Sequence, residues 1–157
     1  MIDKYGSGQD VYCYPGTDTL KNLLNIKDSD LLVLAERDIT DINANFIEFC
    51  SPPYDLSYLC NIHRQLFSDV YEWAGELRTI DISKMNTRFC NVNRIVPESA
   101  KLFSSLEKQG YFEGLNRPDL VKLVAEYYGE INMLHPFREG NGRAQRILFE
   151  HIIVNAG

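Results

Sequence analysis

The sequence predicts a mostly α-helical bundle carrying one small β-hairpin. Apolar residues recur at helical spacing through most of the chain from Asp28 onward, as amphipathic helices packed on a shared core require. Alternation, the mark of a half-buried strand, is confined to one hairpin-like stretch, Leu77 to Val92. A chain of 157 residues with 45% in the hydrophobic class is large enough for one domain with its own core and needs no second.

The elements follow in order. Residues 1–27 read as a loop-rich N-terminal arm, with the turn formers Gly6-Ser7-Gly8 and Tyr14-Pro15-Gly16-Thr17. Tyr5, Tyr12 and Tyr14 are expected to pack it on the domain. Gly6-Ser7-Gly8 is no phosphate loop, because neither Lys-Ser nor Lys-Thr follows at the required spacing and no strand precedes it. The domain proper, residues 28–157, opens with a helix through Leu31, Leu34 or Ala35, Ile39, Ile42, Phe46 and Phe49. Asp28 or Ser29 is its expected cap, and Pro52-Pro53 its expected end. A second helix, from near Asp55 to Tyr71, buries Leu56, Leu59, Ile62 or His63, Leu66 and Phe67. His63 lies within that apolar pattern and reads as a packed core histidine rather than a base. Trp73-Ala74-Gly75-Glu76 breaks the helical period, and the hairpin follows: Ile80 and Ile82, a turn near Lys84-Met85-Asn86, and a return over Arg88 to Val92. Two strands have little stability alone, so this hairpin must lean on the domain. A helix over Val96 to Gln109 comes next. Another is entered through Asn116-Arg117-Pro118, where proline suits the first turn, and it runs to His135. There Pro136 biases the preceding residue away from the α region. A last helix starts near Arg143 and is still running at Val154.

The chemistry gathers between those last two helices, in His135-Pro136-Phe137-Arg138-Glu139-Gly140-Asn141-Gly142-Arg143-Ala144-Gln145-Arg146. The first N–H groups of a helix lack intrahelical partners and carry the positive end of its dipole, so backbone brought close by Gly140 and Gly142 makes an anion site. Arg143 and Arg146, three apart, share a helix face and can address neighbouring phosphates. Glu139 is a hard oxygen ligand of the kind that holds magnesium against a polyphosphate. His135 can take a proton near neutral pH. Singly, each has a plain structural account: a cap for Asn141, turn residues for the glycines, a solvated face for the arginines. A base, a carboxylate, an anion nest and two cations within twelve consecutive positions mark a site.

These residues resemble the Fic (filamentation induced by cAMP) signature: His-Pro-Phe, any residue, an acid, Gly-Asn-Gly-Arg, two free positions and Arg. No fixed position departs from it. Tyr12-Cys13-Tyr14-Pro15-Gly16-Thr17 and Leu20-Lys21-Asn22 resemble the lead-in of toxin-type and effector-type members, and Tyr71-Glu72-Trp73-Ala74-Gly75-Glu76 the family's approach to a β-hairpin flap over the active site. The resemblance implies a Fic fold and a nucleotidyltransferase that moves AMP from ATP to a protein hydroxyl (Tyr, Ser or Thr) with release of pyrophosphate. It makes His135 the general base and Glu139 the holder of Mg2+. It assigns the nucleotide to Gly140, Asn141, Gly142, Arg143 and Arg146, together with Arg138 and the flap residues Lys84 and Met85; many relatives have Gly where Met85 stands. Asn141 and the loop amides form the implied anion hole, and Arg143 meets the outer phosphates. Two alternatives are a kinase-like phosphotransfer, known in a relative with Lys where Gly142 stands, and a non-catalytic module that binds nucleotide or a partner.

Composition narrows the field further. The net charge of −6 argues against general nucleic-acid binding. Four cysteines and three histidines show no zinc-ligand spacing, and a reduced cytoplasmic interior is the simplest setting. No apolar run approaches a membrane span, and the N-terminus lacks the order of a signal peptide. Fic proteins are commonly silenced by a helix bearing Ser or Thr, three free positions, and Glu followed by Gly or Asn. Ser68 and Glu72 come nearest, but Trp73 follows. The inhibitory glutamate is therefore expected either beyond Gly157 or, as the toxin-type resemblance implies, on a small antitoxin that supplies it in trans; the same resemblance makes a topoisomerase ATPase subunit the leading target.

Overall fold

The computed structural model describes the strand Ile2–Lys4 and residues 10–157; Tyr5 and Gly6-Ser7-Gly8 lie outside the described residues. Five helices carry the fold: α1 (Ser29–Ala44), α2 (Leu56–Phe67), α3 (Ile95–Lys108), α4 (Arg117–Leu134) and α5 (Asn141–Ala156). Alongside them runs a three-stranded antiparallel sheet in the order β1 (Ile2–Lys4), β2 (Ile82–Lys84), β3 (Thr87–Arg88). β2 and β3 are the expected hairpin, with Ser83 opposite Arg88 and Lys84 opposite Thr87. The strand β1 was not expected, and it covers the outer edge of β2, pairing Ile2 with Lys84.

α2 is the centre of the bundle, packed against α1, α3 and α5. Its Leu59, Ile62, His63, Leu66 and Phe67 are all buried, a stripe at i, i+3, i+4, i+7 and i+8 that a helix lays along one face. Burial of each such large apolar side chain contributes about 1.5–3 kcal/mol. α4 lies between α3 and α5 and buries Tyr127, Ile131 and Leu134 toward its C-terminal end, the end that carries His135. Asp28, Asp55 and Asn116 cap α1, α2 and α4 by accepting the N–H of Leu31, Tyr58 and Asp119.

Three boundaries differ from the sequence reading. α1 ends at Ala44, well short of Pro52-Pro53, and leaves Phe46 75% and Phe49 46% exposed. The side-chain amide of Asn45 takes Asp41 O, the carbonyl a continuing helix would give to its backbone N–H, while Asn43 ties this end to Leu66 O and Asp69 at the end of α2. α2 ends at Phe67, because the N–H groups of Val70 and Tyr71 both turn back to Phe67 O. α5 begins at Asn141 rather than Arg143, entered through Gly140 at φ 80°.

The arm from residue 10 packs tightly on the bundle. Cys13 and Leu20 join the core, Leu23 N–H donates to Val70 O, and Tyr12 meets Trp73 edge-on at 5.6 Å while its hydroxyl pairs with Thr79. Among the described residues, no helix is long and apolar enough to cross a membrane.

Candidate active site

His135 is the C-cap of α4 in the left-handed conformation, φ 45°, ψ 62°, an arrangement that costs a non-glycine residue of the order of 1 kcal/mol and needs outside support. Arg78 provides it. This arginine is 2% exposed and donates to His135 O at 2.7 Å, to Ile80 O at 2.8 Å, and to the carbonyls of Cys90 and Leu134. Its own N–H donates to Pro136 O. A cation at a helix C-terminus is favoured by the dipole and satisfies otherwise orphaned carbonyls. Arg78 therefore sews the flap to the end of α4, a role the sequence reading missed; an arginine at the head of an alternating stretch was the only signal.

The His135 ring stacks on Phe89 of the flap with centroids 3.7 Å apart. Its Nδ1 lies 3.1 Å from Asn132 O, and a carbonyl can only accept, so the neutral ring carries its proton on Nδ1. Nε2 is left with its lone pair. Burial lowers the pKa to about 4, with Arg78 and Lys84 adding to the effect against the Asn132 hydrogen bond. At neutral pH the residue is thus an unprotonated imidazole with one basic nitrogen to offer. Lys84, on β2, is brought near it. Met85 sits at the flap tip at φ 54° and 83% exposed, a conformation in which glycine would be at ease.

Most of the loop is buried, with Glu139 partly exposed and Gly142 exposed. Asn141 is 5% exposed; its side chain accepts Phe137 N–H at 2.8 Å and donates to Phe137 O at 2.7 Å. It braces the turn, so whatever anion hole exists here is built from backbone. The N–H groups of Asn141, Gly142 and Arg143 precede the first helical bond of α5, Ala144 N–H to Gly140 O, and have no carbonyl within the helix. A Cβ on Gly140 would stand 2.2 Å from the Phe67 ring, whereas one on Gly142 would meet nothing within 4 Å. The first glycine is demanded by packing. The second leaves open space beside the free amides.

The three arginines have separate fates. Arg138 is 6% exposed and held by Asp10 of the arm through Nε at 3.0 Å and Nη2 at 2.6 Å. Arg143 is half-buried: it pairs with Glu36 of α1, donates to Thr40 Oγ1 at 3.1 Å, and lies 4.8 Å over the Phe67 ring. The other oxygen of Glu36 accepts from Tyr71, whose pKa is raised by burial and then by that carboxylate. Arg146 alone is exposed and takes no hydrogen bond or ion pair among the described residues. The shared face expected for Arg143 and Arg146 is thus divided between an internal tie and a free cation.

Glu139 is half-exposed, with Oε1 accepting Gly140 N–H at 3.1 Å. Among the described residues there is no group of three or more His, Cys, Asp or Glu that could hold a metal by itself. A lone carboxylate beside a nest of free amides suits a cation that takes its remaining oxygens from phosphates and water.

The Fic/DOC family profile matches residues 53–153, and the chain belongs to that family. The relative named "Probable protein adenylyltransferase Fic" from Escherichia coli (strain K12) is 45% identical over 100% of this chain and 78% of its own length. Protein adenylyltransferase VbhT of Bartonella schoenbuchensis is 36% identical over 98% of this chain, which spans 33% of that protein. Among solved structures, the type IV secretion system effector BepA matches with a TM-score of 0.84 and 35% identity, over 93% of this chain and 55% of that one. BepC from Bartonella tribocorum, solved with bound AMPPNP, matches with a TM-score of 0.83 and 30% identity, over 93% and 78%.

Proposed function

We infer that the chain is a protein adenylyltransferase, moving AMP from ATP to a hydroxyl of a target protein and releasing pyrophosphate. The observation that carries the mechanism is the bare Nε2 of His135, fixed by the Asn132 bond and the Phe89 stack, on the same short loop as the free amides of α5. Nε2 takes the proton of the attacking hydroxyl. The amides of Asn141, Gly142 and Arg143 meet the charge that develops on the α-phosphate, and Gly142 leaves room for it. Glu139 would hold Mg2+ together with the nucleotide's phosphates, the ion supplying charge neutralisation on the polyphosphate. The open space at Gly142 speaks against the reversed, kinase-like reading, in which a lysine fills that place.

The flap is the expected docking edge for the target. β1 already lines β2, so a target strand is left the exposed outer edge of β3. Arg146, exposed and without a partner among the described residues, is assigned to the γ-phosphate, and a small regulatory protein would silence the enzyme by setting a glutamate against it. That Glu36 engages Arg143 and no carboxylate among the described residues engages Arg146 supports this division. A topoisomerase ATPase subunit is the first target to try. Incubating candidate proteins with ATP and measuring intact mass separates the readings: a gain of one adenylyl group supports transfer of AMP, a gain of phosphate supports the kinase, and no change across the panel supports a non-catalytic module.

A further inference from the structure

His63 does more than fill the core. It is 0% exposed, and both its ring nitrogens are taken by backbone from opposite sides. Gly75 N–H donates to Nδ1 at 2.9 Å; an amide N–H can only donate, so Nδ1 is bare. The single proton of the neutral ring therefore lies on Nε2, 2.8 Å from Glu139 O, which can only accept. This is the opposite tautomer to that of His135. The ring is clamped in that orientation by Phe137 at 3.9 Å and Phe67 at 4.6 Å, both nearly parallel to it, with Trp73 stacked beyond at 5.9 Å.

We propose that His63 is a positioning residue for the transfer reaction: it ties the backbone of Glu139 to Gly75, at the root of the flap. The two anchor points lie in segments that must keep a fixed relation during catalysis. Glu139 carries the carboxylate assigned to the metal and is followed directly by the α5 amides. Gly75, at φ 80° with no room for a Cβ beneath the Arg64 side chain, begins the run that leads through Arg78 into β2. Glu139 belongs to neither flanking helix, so its carbonyl has no helical partner, and His63 supplies one. The neutral form that both bonds require is the form that burial favours, with the pKa lowered to about 4. Partners that orient a metal-binding carboxylate typically change metal affinity or activity ~10–100-fold when removed.

The inference rests on the reading of Glu139 as the metal-side carboxylate, and its test uses readouts apart from turnover. Nitrogen-15 NMR of the imidazoles in the full chain should show His63 protonated at Nε2 and bare at Nδ1. Three variants then divide the two bonds. His63→Phe keeps the stack and loses both; His63→Gln can restore a donor near Nε2; His63→Asn can restore only an acceptor near Nδ1. With ATP as the probe and Mg2+ varied, titration calorimetry should find the magnesium enhancement of ATP affinity reduced ~10-fold in His63→Phe and His63→Asn, but within ~3-fold of wild type in His63→Gln. Gly75 amide exchange should be faster in His63→Phe and His63→Gln and protected in His63→Asn. An Nδ1-protonated His63, or a folded His63→Phe with unchanged magnesium enhancement and unchanged Gly75 exchange, overturns the proposal. If Glu139→Ala also leaves the magnesium enhancement intact, the assignment of Glu139 falls instead, while the tautomer and the Gly75 exchange still judge the tie itself.

Discussion

His63 and His135 are both shielded enough for burial to lower the pKa to about 4, and both stack on phenylalanine, yet they serve opposite ends. His63 has a backbone partner on each nitrogen; His135 has one on Nδ1 and keeps Nε2. The same division runs on from His135 through the loop and into α5. Arg138, Gly140, Asn141 and Arg143 are turned inward and engaged, whereas Glu139, Gly142 and Arg146 are presented. What distinguishes a structural from a chemical residue here is whether folding has left it a valence to offer, and residue type alone does not reveal that.

The sharpest way to break this comparison is at the presented side. His135→Ala should lower transfer ~10³-fold, within the range for loss of a general base, while ATP affinity by calorimetry stays within ~3-fold of wild type. Near-wild-type modification would remove His135 from its role. The two glycines should then part company in thermal melts. Gly140→Ala combines a forced positive φ with a clash against Phe67 and should cost about 3 kcal/mol. Gly142→Ala, in open helical space, should fall within about 1 kcal/mol of wild type. Gly142→Lys should keep the fold and lose transfer.

Asp10→Asn tests the engaged side. It leaves Arg138 buried without its counter-charge and should destabilise by about 3 kcal/mol, with ATP affinity unchanged in the folded protein. A large loss of ATP affinity with little loss of stability would return Arg138 to the nucleotide. The gentlest test is pH. A histidine whose pKa is lowered on folding from 6.5 to about 4 binds fewer protons folded than unfolded between those values. Stability should therefore fall as the pH drops from 6.5 toward 4 and level off below, by about 3 kcal/mol for His63. The acid limb of kcat/KM should likewise lie near 4, below the ordinary histidine range, because His135 stays unprotonated down to there.

The presented half of the site was legible in the sequence, since a base, an acid and a glycine-framed helix start announce their chemistry by type and spacing. The engaged half was not. Asp10 finds Arg138 across 128 positions, Glu36 finds Arg143 across 107, and His63 finds Glu139 across 76; pairings at such separations are made by the packing of helices and leave no local pattern. His63 was read as a core residue, and its burial agrees, but the periodicity that placed it inside could not say that both nitrogens meet backbone. The helices were legible by existence and order. Their ends were less so where a side chain competes with the backbone, as Asn45 does at the end of α1.

The most direct test of the account is to follow the phosphorus. A panel of cytosolic proteins, including topoisomerase ATPase subunits, is incubated with the chain and ATP labelled at either the α- or the γ-phosphate, beside the His135→Ala variant. The account predicts protein-bound label from the α-phosphate only, and its loss in the variant. Label from the γ-phosphate, or equal α-label with and without His135, would contradict it.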